Sequence, residues 1–434
     1  MEFNSLKVHG IWSVALIAAF GLGSTFQSGR VPAAAELSDE RNPKRVSERG
    51  GANSSDRFSP TNTSSGKTTD QLIESAFGGT KLPLNDPELL AKTAVTSPNP
   101  VIRRLAFAKL LESVTAENAA QLRQQLEELG VGGQEIRDFN YAWGALGGAE
   151  AFATAAAGNQ RDLESLISGW AATDPDGAIN MLENLPDDLA DQQRRLESGL
   201  VAGLADRDQD QAAEYVKILA AAGNENANRL MSTVVGEVLR ENGHLEASVW
   251  VEGLEDGSLK GTAMDRVAGR YVQNDPEGAS QWIEQFAAED YAAEAVREVG
   301  KEWAEKEPLT AVTWLDQLPE GEGQKAGLNS AFGDWEDRDP AAAGEYLNRM
   351  PESAKRDSAI SGFAIGLAYQ EPATAVAWAS DISDPNLRES SLIRTGQTYF
   401  QRKPDAAKTW LENSGLPQNI QKQILNPPER RRRR

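Results

Sequence analysis

A small alanine returns along most of the chain at Ala178, Ala212, Ala247, Ala279, Ala311, Ala343, Ala375 and Ala407, with steps of 34, 35 and then 32 five times. A unit of this size cannot bury its apolar face alone, so a chain built from such units has to stack them into an array. Three residues after each alanine stand Met181, Tyr215, Trp250, Trp282, Trp314, Tyr346, Trp378 and Trp410. Eight residues before it stand Trp170, Leu204, Leu239, Tyr271, Trp303, Trp335, Leu367 and Tyr399. Each unit therefore carries two large anchors in fixed places, and these columns absorb most of the 10 tryptophans.

The spacing around the anchors predicts helices. Val296, Val299, Gly300 and Trp303 fall at i, i+3, i+4 and i+7, one stripe of a helix. Ala311, Trp314, Leu315 and Leu318 repeat those offsets, as do Ala279, Trp282, Ile283 and Phe286, so each unit reads as two amphipathic helices folded into a hairpin. Between the halves lie Asp174-Pro175, Asp275-Pro276, Glu307-Pro308, Asp339-Pro340, Glu371-Pro372 and Lys403-Pro404. In most of these an acid stands where an N-cap accepts an orphan amide, and proline follows where its missing N–H costs nothing. Leu185-Pro186, Leu318-Pro319 and Met350-Pro351 close several of the second helices. The reading is about eight helical hairpins stacked in one direction.

This pattern resembles the tetratricopeptide-type alpha-solenoids. Gly300 before Trp303 and Gly396 before Tyr399 look like that family's Leu-Gly-x-x-Tyr first helix, and Ala311 and Ala407 look like its small residue early in the second helix. The departures are a period of 32 rather than 34, a shorter inter-helix turn, and large aromatic anchors three residues after the alanine. The resemblance covers 162–426 well and 72–161 loosely, through pieces such as Val101 to Leu111 and Asn118 to Leu129. HEAT-like repeats are the alternative, although their longer unit fits the spacing less well. The chain is also similar to exported helical-repeat proteins of some bacteria, a likeness that implies no defined activity. The implied fold is all-α, a right-handed alpha-solenoid of stacked hairpins following a disordered N-terminal segment, and the implied role is protein binding.

The flanks differ from the body. Ile11 to Phe26 is apolar, follows Lys7 and precedes Ala33, Ala34 and Ala35, so 1–35 reads as an export signal or an N-terminal membrane anchor. The expected location is therefore periplasmic or cell-envelope, with residues 11–26 anchoring the chain in the inner membrane if they are retained. Residues 36–71 are rich in Ser, Asn, Thr, Gly and Arg and read as a disordered linker, and 427–434 as a disordered basic tail ending in Arg430 to Arg434. Met1 to Asp70 holds 8 basic and 7 acidic residues, which leaves 31 basic against 58 acidic over 71–429. A body so acidic repels phosphate backbones, so it is not expected to bind nucleic acid, and membrane contact is expected through the N-terminal segment only.

Composition removes much chemistry. The chain has no cysteine and only two histidines, His9 and His244, which excludes disulfides, Cys-ligated zinc, thiol nucleophiles and multi-His metal sites. The tryptophan columns read as core packing rather than a sugar platform, and the Asp-Pro and Glu-Pro pairs as caps rather than a calcium ladder. The acidic clusters Glu252 to Asp256, Glu320 to Glu322 and Glu336 to Asp339 could hold a carboxylate pair, but acids are abundant enough to meet by chance. His244 takes the proline place of its column and reads as an exposed or capping residue. Arg194, Arg195, Arg229, Lys325, Arg356 and Arg388 recur near first-helix starts and read as ion-pair partners of the surrounding acids. No catalytic, cofactor-binding or metal-ligating residue is assigned.

The expected function is a non-enzymatic protein-protein interaction scaffold of the cell envelope, its partner a basic protein or peptide. The alternatives are a helical-toroid carbohydrate-active enzyme using Asp and Glu, and a purely structural envelope protein. An enzyme core normally departs from its own repeat where its loops emerge. The widest departures fall between Ala178 and Ala247, so a site is to be sought there first.

Overall fold

Where an aspartate stands before proline, its carboxylate caps the helix that follows. Asp174, Asp275 and Asp339 accept from the amides of Gly177, Gly278 and Ala342 at 3.1, 2.9 and 3.0 Å. Glu307 and Glu371 occupy the same place without capping, because one more methylene carries the carboxylate past the amide; Glu371 accepts from the Thr374 hydroxyl instead. Proline alone sets those two starts.

The computed structural model describes residues 85–426. The signal or anchor over 1–35, the linker 36–71 and the tail 427–434 lie outside the described residues. Every regular element within them is helical, and none of their helices is long and apolar enough to cross a membrane. The chain divides after Phe139 into two compact units.

In the first unit α1 (Pro87–Thr96), α2 (Pro100–Glu112) and α3 (Ala119–Glu128) precede the start of α4 (Gln134–Ala157). Asp86 and Asn99 cap α1 and α2 through the amides of Leu89 and Val101. Leu90, Ile102, Ala106, Leu110, Leu122 and Leu126 are buried, and the Gln121 and Gln125 amides reach back to Glu88 on α1.

The second unit holds the hairpins α5 (Leu163–Thr173) with α6 (Pro175–Glu183), and α7 (Gln193–Arg207) with α8 (Gln209–Ala221). They continue through the two halves of α9 (Ala227–Glu252), α10 (Ser258–Asn274) with α11 (Pro276–Glu284), and α12 (Ala293–Ala304) with α13 (Pro308–Gln317). Then come α14 (Glu322–Arg338) with α15 (Pro340–Arg349), α16 (Ala354–Leu367) with α17 (Pro372–Ser380), and α18 (Pro385–Arg402) with α19 (Pro404–Asn413), closed by α20 (Gln418–Leu425). First helices pack on first helices in order from α5 to α18, and each second helix wedges between the first helices of its own and the next hairpin.

Three devices make the row. The anchors of a hairpin face each other: Tyr271 and Trp282, Trp303 and Trp314, Trp335 and Tyr346, and Tyr399 and Trp410 hold ring centroids 6.1, 6.0, 5.8 and 5.9 Å apart. Neighbouring first helices approach to backbone contact over glycine, so that a Cβ at Gly203 would lie 2.0 Å from the Ser168 carbonyl oxygen and one at Gly362 1.8 Å from that of Asn329. A long donor at the start of a first helix also satisfies carbonyls at the end of the preceding hairpin. Lys260 donates to Glu252 O, Gln324 to Leu315 O and Leu318 O, and Arg356 to Leu347 O; Arg388 donates to Ile382 O in the turn that leads into its own helix.

Two hairpins replace the proline turn with glycine. α9 turns at Gly243, with φ 81°, and α4 at Gly148, with φ 48°, both in the left-handed region. α4 carries the repeat one hairpin further toward the N-terminus than the alanine column, since buried Trp143 stands eight residues before buried Ala151, as Trp170 does before Ala178. In α9 the extra residue of the 35-residue step shifts the buried stripe by one, to Leu230, Met231, Val234, Val235 and Val238. Val238 is the core anchor there, and Leu239 is only half-buried.

Candidate functional site

The residues that stood out in the sequence are mostly occupied in holding hairpins together. In the first acidic cluster Glu252 accepts from the Trp282 indole at 3.0 Å, Glu255 pairs with Lys217 at 2.8 Å and Asp256 pairs with Lys260 at 2.9 Å. That hydrogen bond from Lys260 holds the Asp256 carboxyl below its ordinary range. In the second, Glu322 pairs with Lys325 at 2.8 Å. In the third, Asp339 is a helix cap and Glu336 is buried. These carboxylates are turned to separate duties and do not face one another across an open site. His244 is half-buried, its ring 4.8 Å from that of Tyr271. Among the basic residues Arg195 pairs with Glu164, Arg356 with Asp381 and Lys325 with Glu322, while Arg229 and Arg388 donate to neighbouring oxygens. Arg194 differs: it is exposed and lines the cleft described below.

Two glutamates, Glu197 and the Glu336 of the third acidic cluster, break the apolar columns. Fifteen residues before the alanine, the hairpins place buried Leu163, Met264, Val296, Leu328, Ile360 and Leu392, with Met231 at that place in the shifted α9. In α7 the position is Glu197, 4% exposed. Seven residues before the alanine stand Ala171, Ala205, Val272, Ala304 and Ala368, all buried, and in α14 the position is Glu336, 0% exposed. Reading each column for charge rather than size would have found both. Glu197 also lies within the stretch from Ala178 to Ala247 where the spacing departs most.

Glu197 forms the floor of an open cleft of about 510 Å³, whose lining includes Asp191, Gln193, Arg194, Asn224 and Glu225. One wall is the 3₁₀ segment Asp187–Gln192 and the start of α7; the other is the connection from α8 to α9. That connection is shaped by Gly223, with φ 82°, and by Asn224, whose side-chain oxygen accepts from the Asn226 amide at 2.8 Å. Asn224 then donates to Glu197 Oε1 at 3.1 Å, and Gln193 donates to the same oxygen at 3.1 Å. Gln193 occupies the place from which Lys260, Gln324 and Arg356 reach carbonyls elsewhere, so here the donor column is diverted onto the buried carboxylate. Among the described residues Glu197 Oε2 has no partner. Close by, burial together with the charges of Glu183 and Glu197 pushes the Tyr215 hydroxyl up to about 12.

Glu336 is different in kind. Both of its carboxylate oxygens are buried without a partner among the described residues, in a slot that exists because α16 has glycine opposite; a Cβ at Gly366 would lie 2.7 Å from Glu336 Oε2. Burial first, then the charges of Asp337 and Glu371, push its carboxyl up to about 7. Glu336 lines neither the Glu197 cleft nor the recess beside Trp410. That recess, about 740 Å³ beside Leu392, Tyr399, Trp410 and Leu416, is walled by the repeat's own anchors and by the last turn of α19.

Among the described residues no three acidic or histidine side chains converge at metal-ligating distance. The geometry thus offers one site of recognition chemistry: a shielded carboxylate oxygen beneath a cleft lined with amides and acids. Comparison with known proteins returns no matching family model, no matching curated protein and no matching solved structure. What the fold itself defines is an all-α array of stacked helical hairpins.

Proposed function

We propose that the chain is a non-enzymatic scaffold of the cell envelope, a right-handed alpha-solenoid of the tetratricopeptide-like kind that binds a basic protein or peptide. The observation that carries this reading is how the charge is spent. The body has 31 basic against 58 acidic residues, and ion pairs within the array leave that surplus unchanged because each takes one charge of either sign. Arg195, Arg240, Lys260, Arg297 and Arg356 each hold a carboxylate of the chain itself, and Lys260 and Arg356 hold carbonyls as well. Excess acids on a row of repeated units present a continuous negative surface to whatever approaches, which favours a cationic partner and accelerates its encounter. Stacked hairpins also supply an extended face suited to a peptide or a helix. In this reading residues 11–26 tether the array at the membrane and 36–71 serve as its spacer.

The test is anisotropy of labelled basic, neutral and acidic peptides of equal length, titrated with the full chain at about 50 mM and about 500 mM salt, where screening lengths differ about threefold. Basic peptides are expected to bind and to weaken at high salt. Equal binding of all three, or binding indifferent to salt, would overturn the proposal.

A further inference from the structure

We infer that the Glu197 cleft is a binding pocket for a single lysine side chain of the partner, an inference that rests on the scaffold reading and gives it a locus. Four observations converge. Glu197 replaces an apolar residue at a place that is Leu, Ile, Val or Met in every other regular hairpin. A stacked array gains from an apolar residue there, so its own packing does not call for the acid. The carboxylate is 4% exposed, yet Oε2 has no hydrogen-bond partner among the described residues. It lies against an open cleft, unlike the sealed slot of Glu336. The lining carries three carboxylates, Asp191, Glu197 and Glu225, against one guanidinium, Arg194, so a cation is the favoured guest.

The hydrogen bonds choose between the two cationic side chains. Oε1 already accepts from Gln193 and Asn224, which fills its two lone pairs. A guanidinium fork needs both oxygens of a carboxylate and would have to displace one of these amides. An ammonium needs only one oxygen, and Oε2 is the one left over.

The experiment is calorimetric titration of the full chain with tetralysine, tetra-arginine and tetra(Nε-acetyl-lysine). It compares the natural chain with Glu197→Leu, Glu197→Gln and, as a control, Glu284→Gln, which neutralises an exposed acid on α11. Glu197→Leu restores the residue type of the column, so its thermal midpoint is expected to equal or exceed that of the natural chain, which keeps the test free of unfolding. The expected result is that tetralysine binds about tenfold more tightly than tetra-arginine, that acetylation abolishes binding, and that both Glu197 variants lose about tenfold or more while Glu284→Gln changes little. Salt-sensitive binding that is unchanged in Glu197→Leu, or arginine bound as well as lysine, overturns the pocket and leaves the acidic scaffold standing. No binding by any cationic peptide at low salt overturns both.

Discussion

Replacing Glu336 by alanine should make the protein more stable, and by an amount set by pH. The carboxyl moves from an ordinary 4.5 to about 7 in the folded chain, because burial, and then the charges of Asp337 and Glu371, disfavour the ionised form. Below pH 4.5 it is protonated in both the folded and the unfolded chain, and the shift costs nothing. Between 4.5 and 7 the unfolded chain releases the proton and the folded chain keeps it, so stability falls as pH rises. Above 7 the charge is buried and the cost is complete. A shift of this size at about 1.4 kcal/mol per pH unit amounts to about 3 kcal/mol. Alanine is the residue of the same column at 171, 205, 304 and 368, so the substitution leaves a space the fold already accommodates elsewhere. The advantage of Glu336→Ala over the natural chain, measured by urea unfolding followed through tryptophan fluorescence, should be about 3 kcal/mol larger at pH 8 than at pH 4. Hydrogen exchange in α14 and α16 should localise it, since an array can open piecewise. An advantage that is the same at both pH values would refute the argument, because a cavity or a packing gain does not titrate.

Glycine to alanine should change sign along the row. Gly362→Ala drives a methyl into the Asn329 carbonyl and should cost about 1–3 kcal/mol, whereas Gly236→Ala, inside α9 with nothing within 4 Å, should stabilise by up to about 1 kcal/mol; thermal midpoints separate the two. The proline turns should likewise divide by acid. Asp275→Ala removes the bond to the Gly278 amide and should cost about 1 kcal/mol, while Glu307→Ala, which removes no cap, should stay within about 0.5 kcal/mol in the same denaturation assay. Lys260 is 5% exposed and holds both Glu252 O and Asp256, so Lys260→Met should lower the midpoint at neutral pH; a midpoint equal to the natural chain's would count against the donor column as a stacking device.

The hairpins were legible because their marks are local: a fixed spacing between two large anchors and a proline at a fixed place in the turn. Where the marks change, the sequence misleads. α4 was missed because Gly147-Gly148 replaces the acid and proline and its step to the next alanine is 27. Leu239 was read as an anchor because one added residue in α9 moves the buried stripe to Val238. Glu307 and Glu371 were read as caps because sequence does not show how far one methylene carries a carboxylate from an amide. The interval from Ala178 to Ala247 pointed to the right place for a cleft, but not to Glu197. Whether a carboxylate is satisfied depends on Asn224, 27 residues away on the next connection, and no periodicity encodes that.

Glu197 and Glu336 separate two ways in which an array can carry a buried acid. Both break an apolar column, and both leave at least one oxygen unpartnered. At Glu336 the slot is closed and no donor is supplied, so ionisation has to be suppressed and the result is a stability that falls as pH rises. At Glu197 two amides from different elements are aimed at one oxygen, and a turn built on Gly223 and Asn224 holds the cleft open above it. An oxygen that is desolvated by the fold and left unpaired loses little further hydration when an ammonium arrives, so the cost of shielding the charge has already been met by folding rather than by binding. Preorganisation of this sort separates a recognition carboxylate from a merely strained one, and in this chain the distinguishing mark is the pair of donors, not the burial.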